Sequence, residues 1–497
     1  MFKKQIEFRQ LKPILYKPGE EPEASGSFNF GIDNRLYRSL MKLFETFYIY
    51  TKPRRELFLV GGCVRDMLLD KEPKDYDLCT NATPDEVKQI CDKIGLKYFD
   101  SGIKHGTLTI IDDFYGQSYE ITTYRVDGKY TDGRHPDEVV FTPSLEEDLK
   151  RRDFTINSFA YNLLTQELVM LDESYLKDLE YGVIRTVGNP IDRFNEDALR
   201  MLRALRFAAQ LNFTIQRDTY AAIKELAPKI ALVSKERIRD EITKILLSNK
   251  PDMLKLFVLS GLEEPAFGFT PLGDMMKCDH QNPWHYADVF HHTMDVVNGV
   301  PATFELRWAA LLHDTGKPAT KALKEGTVDH YNYHGHPDVS AEITLRLMEI
   351  LKFSNEQKDT VYKFVKYHDE PLAEVRNAKF KTIVNEIGKE NFPDFIKLRA
   401  ADSFAHRLLM DTKFAVDFPD IVKERFTKIV EEDQALKVTD LAINGNDILA
   451  DGFLKGKEIG DCLRWMLDIV LEHPEYNTRD KLLEYLQMFK DMSFQNS

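Results

Sequence analysis

Hydrophobic positions follow two regimes along this chain. In the first third they come in short runs. Leu57-Phe58-Leu59-Val60 is an apolar, β-forming stretch stopped by Gly61-Gly62, after which Val64, Met67 and Leu68 recur at helical spacing. The pattern predicts strand, glycine turn and helix, a unit whose backbone N–H groups point at an anion. Upstream, Leu36, Leu40, Phe44 and Phe47 form a helical stripe over residues 34–50. Downstream, Thr83-Pro84-Asp85-Glu86 reads as a helix start with Pro at its first position, and residues 105–111 and 118–125 read as further strands of the same sheet. Later the period becomes helical: over residues 214–265, where Ser234 opens a charged, capped segment, and over 406–497, interrupted by turns at 441–447 (LAINGND) and 456–460 (GKEIG). An α/β head with a mixed sheet, followed by an all-α remainder, is the expected architecture.

A chain of 497 residues should hold several domains. Its 43% apolar and 30% charged content suits ordinary globular cores. No apolar run is long enough to span a bilayer, and the N-terminal MFKKQIEFRQLK lacks the apolar core of a secretory signal, so no membrane partner is expected. Cys63, Cys79, Cys91, Cys278 and Cys462 are scattered without a C-x-x-C pair; this fits a reducing, cytoplasmic setting and argues against a thiolate zinc site. The net charge of −14 gives RNA binding no help, since that affinity is largely electrostatic, and leaves the case to motifs. Residues 1–33, with Pro13, Pro18 and Pro22, read as an extension, and 130–136 (YTDGRHP) as a polar loop.

The candidate chemistry begins at Lys74-Asp75-Tyr76-Asp77-Leu78. Read as a strand, it places Asp75 and Asp77 on one face roughly 6.5–7 Å apart, where paired carboxylates suit a divalent metal on a triphosphate. Glu120, in the 118–125 strand, reads either as a third metal carboxylate or as an edge-strand glutamate. Arg151-Arg152-Asp153-Phe154-Thr155-Ile156-Asn157 leads into Ser158-Phe159-Ala160, which reads as a charged entry to an apolar helix. From Arg193 to Phe207 the spacing predicts one helix capped by Asn195, with Asp197, Arg200, Arg203 and Arg206 on one face and Leu199, Leu202 and Leu205 opposite. By itself that is a salt-bridged surface helix.

Taken in this order, VGG-x-VRD, DYD, RRDFT-x-N and ED-x-x-R resemble the class II tRNA nucleotidyltransferases, which add the 3′-terminal CCA, and the bacterial poly(A) polymerases of the same class. The resemblance implies transfer from CTP and ATP to the tRNA 3′ end. It implies Mg²⁺ held by Asp75 and Asp77 as the catalytic pair, with Gly62 and Arg65 on the triphosphate. Arg152 and Asp153 would handle the nucleotide sugar and phosphate. Asp197 and Arg200, continued by Arg203 and Arg206, would read the base: a carboxylate accepts from the amino group that C and A share. Residues 171–179 sit where the family carries a flexible connector, but DESYLKDLEYG departs from the glycine-rich form.

Between Pro271 and residue 370 the chain is rich in histidine: His280, His285, His291, His292, His313, His330, His334, His336 and His368. With ALLHDTGKP in their midst they resemble the HD superfamily of metal-dependent phosphohydrolases. Position by position, the likeness implies His292, His313, Asp314 and Asp402 as ligands, with His336 and His368 the additional histidines of two-metal members. Imidazole and carboxylate together suit Ni²⁺, Mn²⁺ or Co²⁺. Which of His291/His292 and of His334/His336 points inward stays open, as does a metal-free scaffold. The expected layout is an extension (1–33), a nucleotidyltransferase head (34–165), a helical neck and body (166–270), an HD domain (271–405) and a tRNA-contacting helical arm (406–497).

Overall fold

The computed structural model describes residues 34–103, 106–128, 139–279, 288–328, 330–405, 412–432, 434–451 and 456–495. The 1–33 extension, His105, the 130–136 loop, His280 and His285 lie outside the described residues. The chain forms two compact units, Met1–Val233 and Ser234–Ser497.

In the first unit, α1 (Asn34–Tyr50) buries Leu40, Phe44 and Phe47 as its stripe requires. β1 (Leu57–Val60), buried along its whole length, leads through Gly61 into α2 (Gly62–Leu68). β2 (Asp77–Thr80) is followed by α3 (Pro84–Ile94), whose Thr83/Glu86 capping box and Pro84 match the expected start. β3 (Lys97–Gly102), β4 (Thr107–Asp112) and β5 (Gln117–Thr123) follow. β6 (Arg125–Asp127) and β7 (Val139–Phe141) form a separate antiparallel pair, so Arg125 does not continue β5 as the 118–125 reading had it. After α4 (Leu145–Lys150) come β8 (Phe159–Asn162) and β9 (Glu167–Met170). The seven-stranded sheet has the order β3-β4-β5-β2-β1-β8-β9. β2 and β5 pair in parallel and the remaining neighbours antiparallel.

Several expectations change. β2 begins at Asp77, and Asp75 sits in a bend ahead of it. The antiparallel ladder with β1 runs from Leu57↔Thr80 to Leu59↔Leu78 and β1 then turns at Gly61, so Asp75 lies beyond the reach of β1. Ser158-Phe159-Ala160 is not an apolar helix: Thr155–Asn157 is one 3₁₀ turn, and Phe159 opens a strand held to β1 (Leu59↔Tyr161). The connector region is helical, α5 (Ser174–Glu180), with buried Asp178 tied to Thr155 and Arg185. The single helix around Asn195 is two: α6 (Pro190–Glu196), capped by Asn189, and α7 (Leu199–Leu211). Asn195 instead accepts from Lys229 at 2.6 Å.

The second unit is helical; among its described residues the strands are one two-residue pair, Ala322–Leu323 with Tyr331–Asn332. Ser234 stands at an N-cap position but its side chain makes no capping bond. Helix Phe304–Leu312 buries nearly every residue, which is why its sequence (FELRWAALL) lacks a polar face. It lies with Val289–Gly299, His336–Ile350, Asn355–Tyr367 and Phe392–Ala405 around a core that includes Trp308, whose indole N–H donates to Thr243. The C-terminal helices have a core of their own, built on Ile443, Ile448, Cys462, Met466, Val470 and Leu482. Gly445 there begins Gly445–Asp451, and Gly456, at φ 56°, starts Lys457–Glu472.

Candidate active site and metal centre

The glycine turn after β1 is built for close approach. Gly61 has φ 79°, a conformation that favours glycine, and a Cβ on it would lie 3.2 Å from Arg152 Nη1, so a larger residue would also crowd that guanidinium. Arg152 is held by Asp148, whose Oδ2 lies 3.1 Å from Nη2; the same fully buried carboxylate takes Arg151 at 2.7 Å. Arg152 Nε is buried with no hydrogen-bond partner. Across the parallel ladder Asp77 stands in register with Glu120. Asp77 opens to solvent at its tip, yet partial desolvation, then the Glu120 charge, then Asp75, raise its carboxyl pKa against the pull of Arg152. Crowded like charges of this kind are what a cation relieves, and the donors are hard oxygens. The geometry thus groups Asp77, Glu120, Arg152 and the Gly61-Gly62 turn, with Asp75 at the margin.

A second network runs behind. Arg65, 8% exposed, donates to Asn157 Oδ1 at 2.7 Å and pairs with Asp66 at 2.7 Å. Asn157 Nδ2 donates to Asp153 Oδ1 at 3.2 Å, and Asp153 Oδ2 takes Arg203 at 2.5 Å. Burial would raise Asp153, but Arg203 and Arg200 pull it down to about 2. Arg65, Arg203 and Arg206 all approach the Phe207 ring, and Arg206 reaches on to Gln210. Asp148 carries this architecture from outside the motifs, and Asn157 is the closing residue of RRDFT-x-N, to which the resemblance gives no separate role. Asp148 was findable, since it lies one helical turn before Arg151 and Arg152.

A depressed carboxyl stabilises the fold above its unfolded value of 3.8, and that contribution is lost as pH falls toward about 2. Arg203→Ala is expected to cost on the order of 2 kcal/mol, because it strands a buried carboxylate while Arg203 itself keeps some solvent. Thermal melts from pH 7 to pH 3 check this. The variant's loss should shrink as Asp153 protonates, and a loss constant across that range would mean that the charge is irrelevant.

Asp197 lies in the break between α6 and α7, at φ −142°, ψ 106°, and its Oδ1 accepts from Leu199 N at 3.0 Å. Arg200 pairs with Glu196 at 2.5 Å and donates to the Arg193 and Arg151 carbonyls. The E-D-x-x-R residues therefore bracket an interruption, not a continuous face.

In the second unit, His291 is exposed and paired with Asp288, whereas His292 is 2% exposed; His334 is exposed, and His336 buried. Both open choices resolve to His292 and His336. Among the described residues, two sets of ligand-type atoms close to within 4.8 Å: His292/His313/Asp402 and His313/Asp314/His368. His292 Nε2 lies 3.2 Å from Asp402 Oδ1 and 3.5 Å from Asp314 Oδ2; His313 Nε2 lies 3.2 Å from Asp314 Oδ2. Asp314 Oδ1 faces His336 Nε2 at 3.4 Å and His368 Nε2 at 3.6 Å. Asp314 thus stands between two histidine pairs, one on each oxygen. The Nδ1 atoms of His313, His336 and His368 lie 2.8, 2.9 and 2.6 Å from the carbonyls of Ala310, Tyr333 and Val365. Donation to those carbonyls turns the Nε2 lone pairs inward, the tautomer a metal needs. His313 Nε2 and Asp314 Oδ1 are buried with no hydrogen-bond partner, while Asp314 Oδ2 takes the Lys317 ammonium at 2.7 Å. Burial pushes His292 down to about 4, whereas Asp314 overcomes burial and raises His313. Buried, convergent and unsatisfied, the donors fit a divalent metal. Lys317 also enters this cage. It belongs to the ALLHDTGKP stretch, one turn after His313-Asp314, where the resemblance implies no ligand role for it.

Residues 57–185 match the model of the Poly A polymerase head domain, 212–270 that of a probable RNA and SrmB-binding site of polymerase A, and 289–406 that of the HD domain. The first site lies within the first of these matches and the second within the third. The CCA-adding enzyme of Leuconostoc mesenteroides subsp. mesenteroides is 49% identical over 195 residues, 39% of this chain and 47% of that protein. That of Lactobacillus delbrueckii subsp. bulgaricus is 31% identical over 435 residues, 87% of this chain and 93% of its own. A Bacillus stearothermophilus CCA-adding enzyme solved in complex with CTP shares the fold at TM-score 0.69 and 25% identity, covering 94% of this chain and all of that one. The chain belongs to the family of CCA-adding enzymes. No helix among the described residues is long and apolar enough to cross a membrane.

Proposed function

We propose that this chain adds CMP and AMP from CTP and ATP to the 3′ end of tRNA, releasing pyrophosphate. The observation that carries this is the in-register placement of Asp77 and Glu120 beside the Gly61 turn and Arg152. Asp77 and Glu120, with Asp75, would hold Mg²⁺, which supplies charge neutralisation at the α-phosphate and a more acidic 3′-hydroxyl. Arg152, its fork directed past Gly61, binds phosphate oxygens, and the N–H groups at the start of α2 cradle the triphosphate. Arg65, Asn157, Asp153 and Arg203 fix the depth of that cradle. The five cysteines, buried and unpaired as thiols, suit a cytoplasmic protein. Incubation with tRNA lacking its 3′ end and labelled CTP and ATP should yield a three-nucleotide extension. A long A tail, or addition stopping at CC or confined to A, would instead identify a poly(A) polymerase or a partial enzyme of this class.

Asp197 and Arg200 supply base choice. Each bidentate contact discriminates by about 1–3 kcal/mol, so Asp197→Ala or Arg200→Ala should raise UTP and GTP incorporation relative to CTP and ATP by about tenfold or more. Slower addition with selectivity intact would make the pair structural.

A second reading concerns the HD centre, on the strength of its buried, convergent Nε2 atoms and the Asp314 oxygens between them. His292, His313, Asp314 and Asp402, with His336 and His368, would hold Ni²⁺, Mn²⁺ or Co²⁺, borderline ions that suit imidazole. Such a metal supplies a water acidic enough to attack phosphate esters at neutral pH. The centre is a metal-dependent phosphohydrolase.

A further inference from the structure

Helix Asn377–Ile387 carries Asn377, Phe380 and Lys381 at the i, i+3 and i+4 spacing that shares one face. Arg425, Lys428 and Ile429 repeat that spacing on Thr412–Glu431. Together with the C-terminal end of Lys457–Glu472 they line a cavity of about 840 Å³, a volume that suits a small-molecule site. Lys381 is 3% exposed, and its Nζ donates to the Leu471 carbonyl at 2.7 Å, capping the end of that helix. The cap uses one of three N–H donors, and among the described residues the ammonium has no ion-pair partner. Burial pushes it down to about 8, against the pull of Glu472, Glu432 and Glu475. On the same cavity Glu472 Oε1 is buried with no hydrogen-bond partner among the described residues, 4.0 Å from Nε of the exposed Arg376. A buried cation and a buried carboxylate oxygen thus share one cavity without joining each other, although incompletely paired buried charge is costly.

The rest of the lining narrows the ligand. Arg425 is already spent on the carbonyls of Leu372 and Val375 and on Asn377 Oδ1. Lys428 has Glu432 at 4.0 Å, and His473 has Glu475 at 3.3 Å. Lys381, Arg425 and Lys428 are matched in number by Glu432, Glu472 and Glu475. A lining balanced in this way disfavours a bare anion or a bare cation, either of which leaves charge in excess. It favours a molecule that carries both signs.

We propose that this cavity binds a small zwitterion of the α-amino-acid class, its carboxylate on Lys381 and its ammonium on Glu472. The site is separate from both centres described above and does not depend on the function proposed for either.

The test titrates the full chain calorimetrically with each of the common amino acids, and with acetate and ethylammonium as the two halves of the ligand. At least one amino acid should bind, and neither half alone should match it. Glu472→Gln and Lys381→Met should each lower that affinity by about tenfold or more. Glu472→Gln is the decisive variant, because Oε1 gives up no hydrogen bond in the fold. Lys381→Met also removes the Leu471 cap, so circular dichroism accompanies it. Absence of binding by every amino acid overturns the proposal. Acetate binding as tightly as the best amino acid would make the cavity a plain anion site and overturns it too. So does parent-like binding by Glu472→Gln, which would place the amino acid elsewhere.

Discussion

Asp77→Ala leaves a folded protein whose nucleotide addition falls on the order of a thousandfold or more. Asp77 is the outward residue at the start of β2, whose next three residues are buried, so the strand's packing survives the change. What disappears is the carboxylate standing opposite Glu120. Asp75→Ala should behave similarly but less severely, since Asp75 sits in the bend ahead of the ladder. The readout is single-turnover extension of tRNA lacking its 3′ end, with circular dichroism as the folding control. A folded Asp77→Ala chain that extends tRNA at the parent rate would falsify the assignment.

The second large effect lies in the other unit. His313→Ala or Asp314→Ala should abolish bound transition metal and lower phosphate-ester hydrolysis by about a hundredfold or more. Nucleotide addition should persist, because the residues proposed for it all lie within Met1–Val233. Removing a buried imidazole also opens a cavity, so the melting temperature is recorded alongside metal content; a drop of a few degrees is expected, not unfolding. If metal content stays at the parent level in both variants, the cage is not the binding site. If no ion supports hydrolysis in the parent chain, the domain is a scaffold.

The sequence made the parts of both sites legible because their residue types are chemically demanding. The turn beside Arg152 runs at a positive φ with little room for a Cβ, and the glycine pair announced it. The histidines of the second unit are too many, and too regularly separated by helix, to pass as incidental. What the sequence left unclear was which segments would find hydrogen-bonding partners. Asp75 has alternating neighbours on a strand-like pattern, yet β1 ends too early to pair with it. Ser158-Phe159-Ala160 is short and apolar, and only β1 decides between strand and helix. The break at Asp197 is likewise hidden, because leucines keep helical spacing on both sides of it. Orientation of neighbouring histidines could not be read from periodicity, whereas Asp288 settles it by drawing His291 outward.

That break has a further consequence for selectivity. Asp197 caps the first turn of α7 through Leu199, so its side-chain rotamer is fixed before any nucleotide arrives. Immobilising a free carboxylate on binding would otherwise consume part of the discrimination it provides. If Asp197 reads the base as proposed, helix formation has already met that entropy cost, and the incoming base would meet an acceptor that does not need to search. Asp197→Glu keeps the charge and adds one methylene. It should nonetheless select poorly, because the longer arm gives up the Leu199 amide and regains the freedom that the break removes.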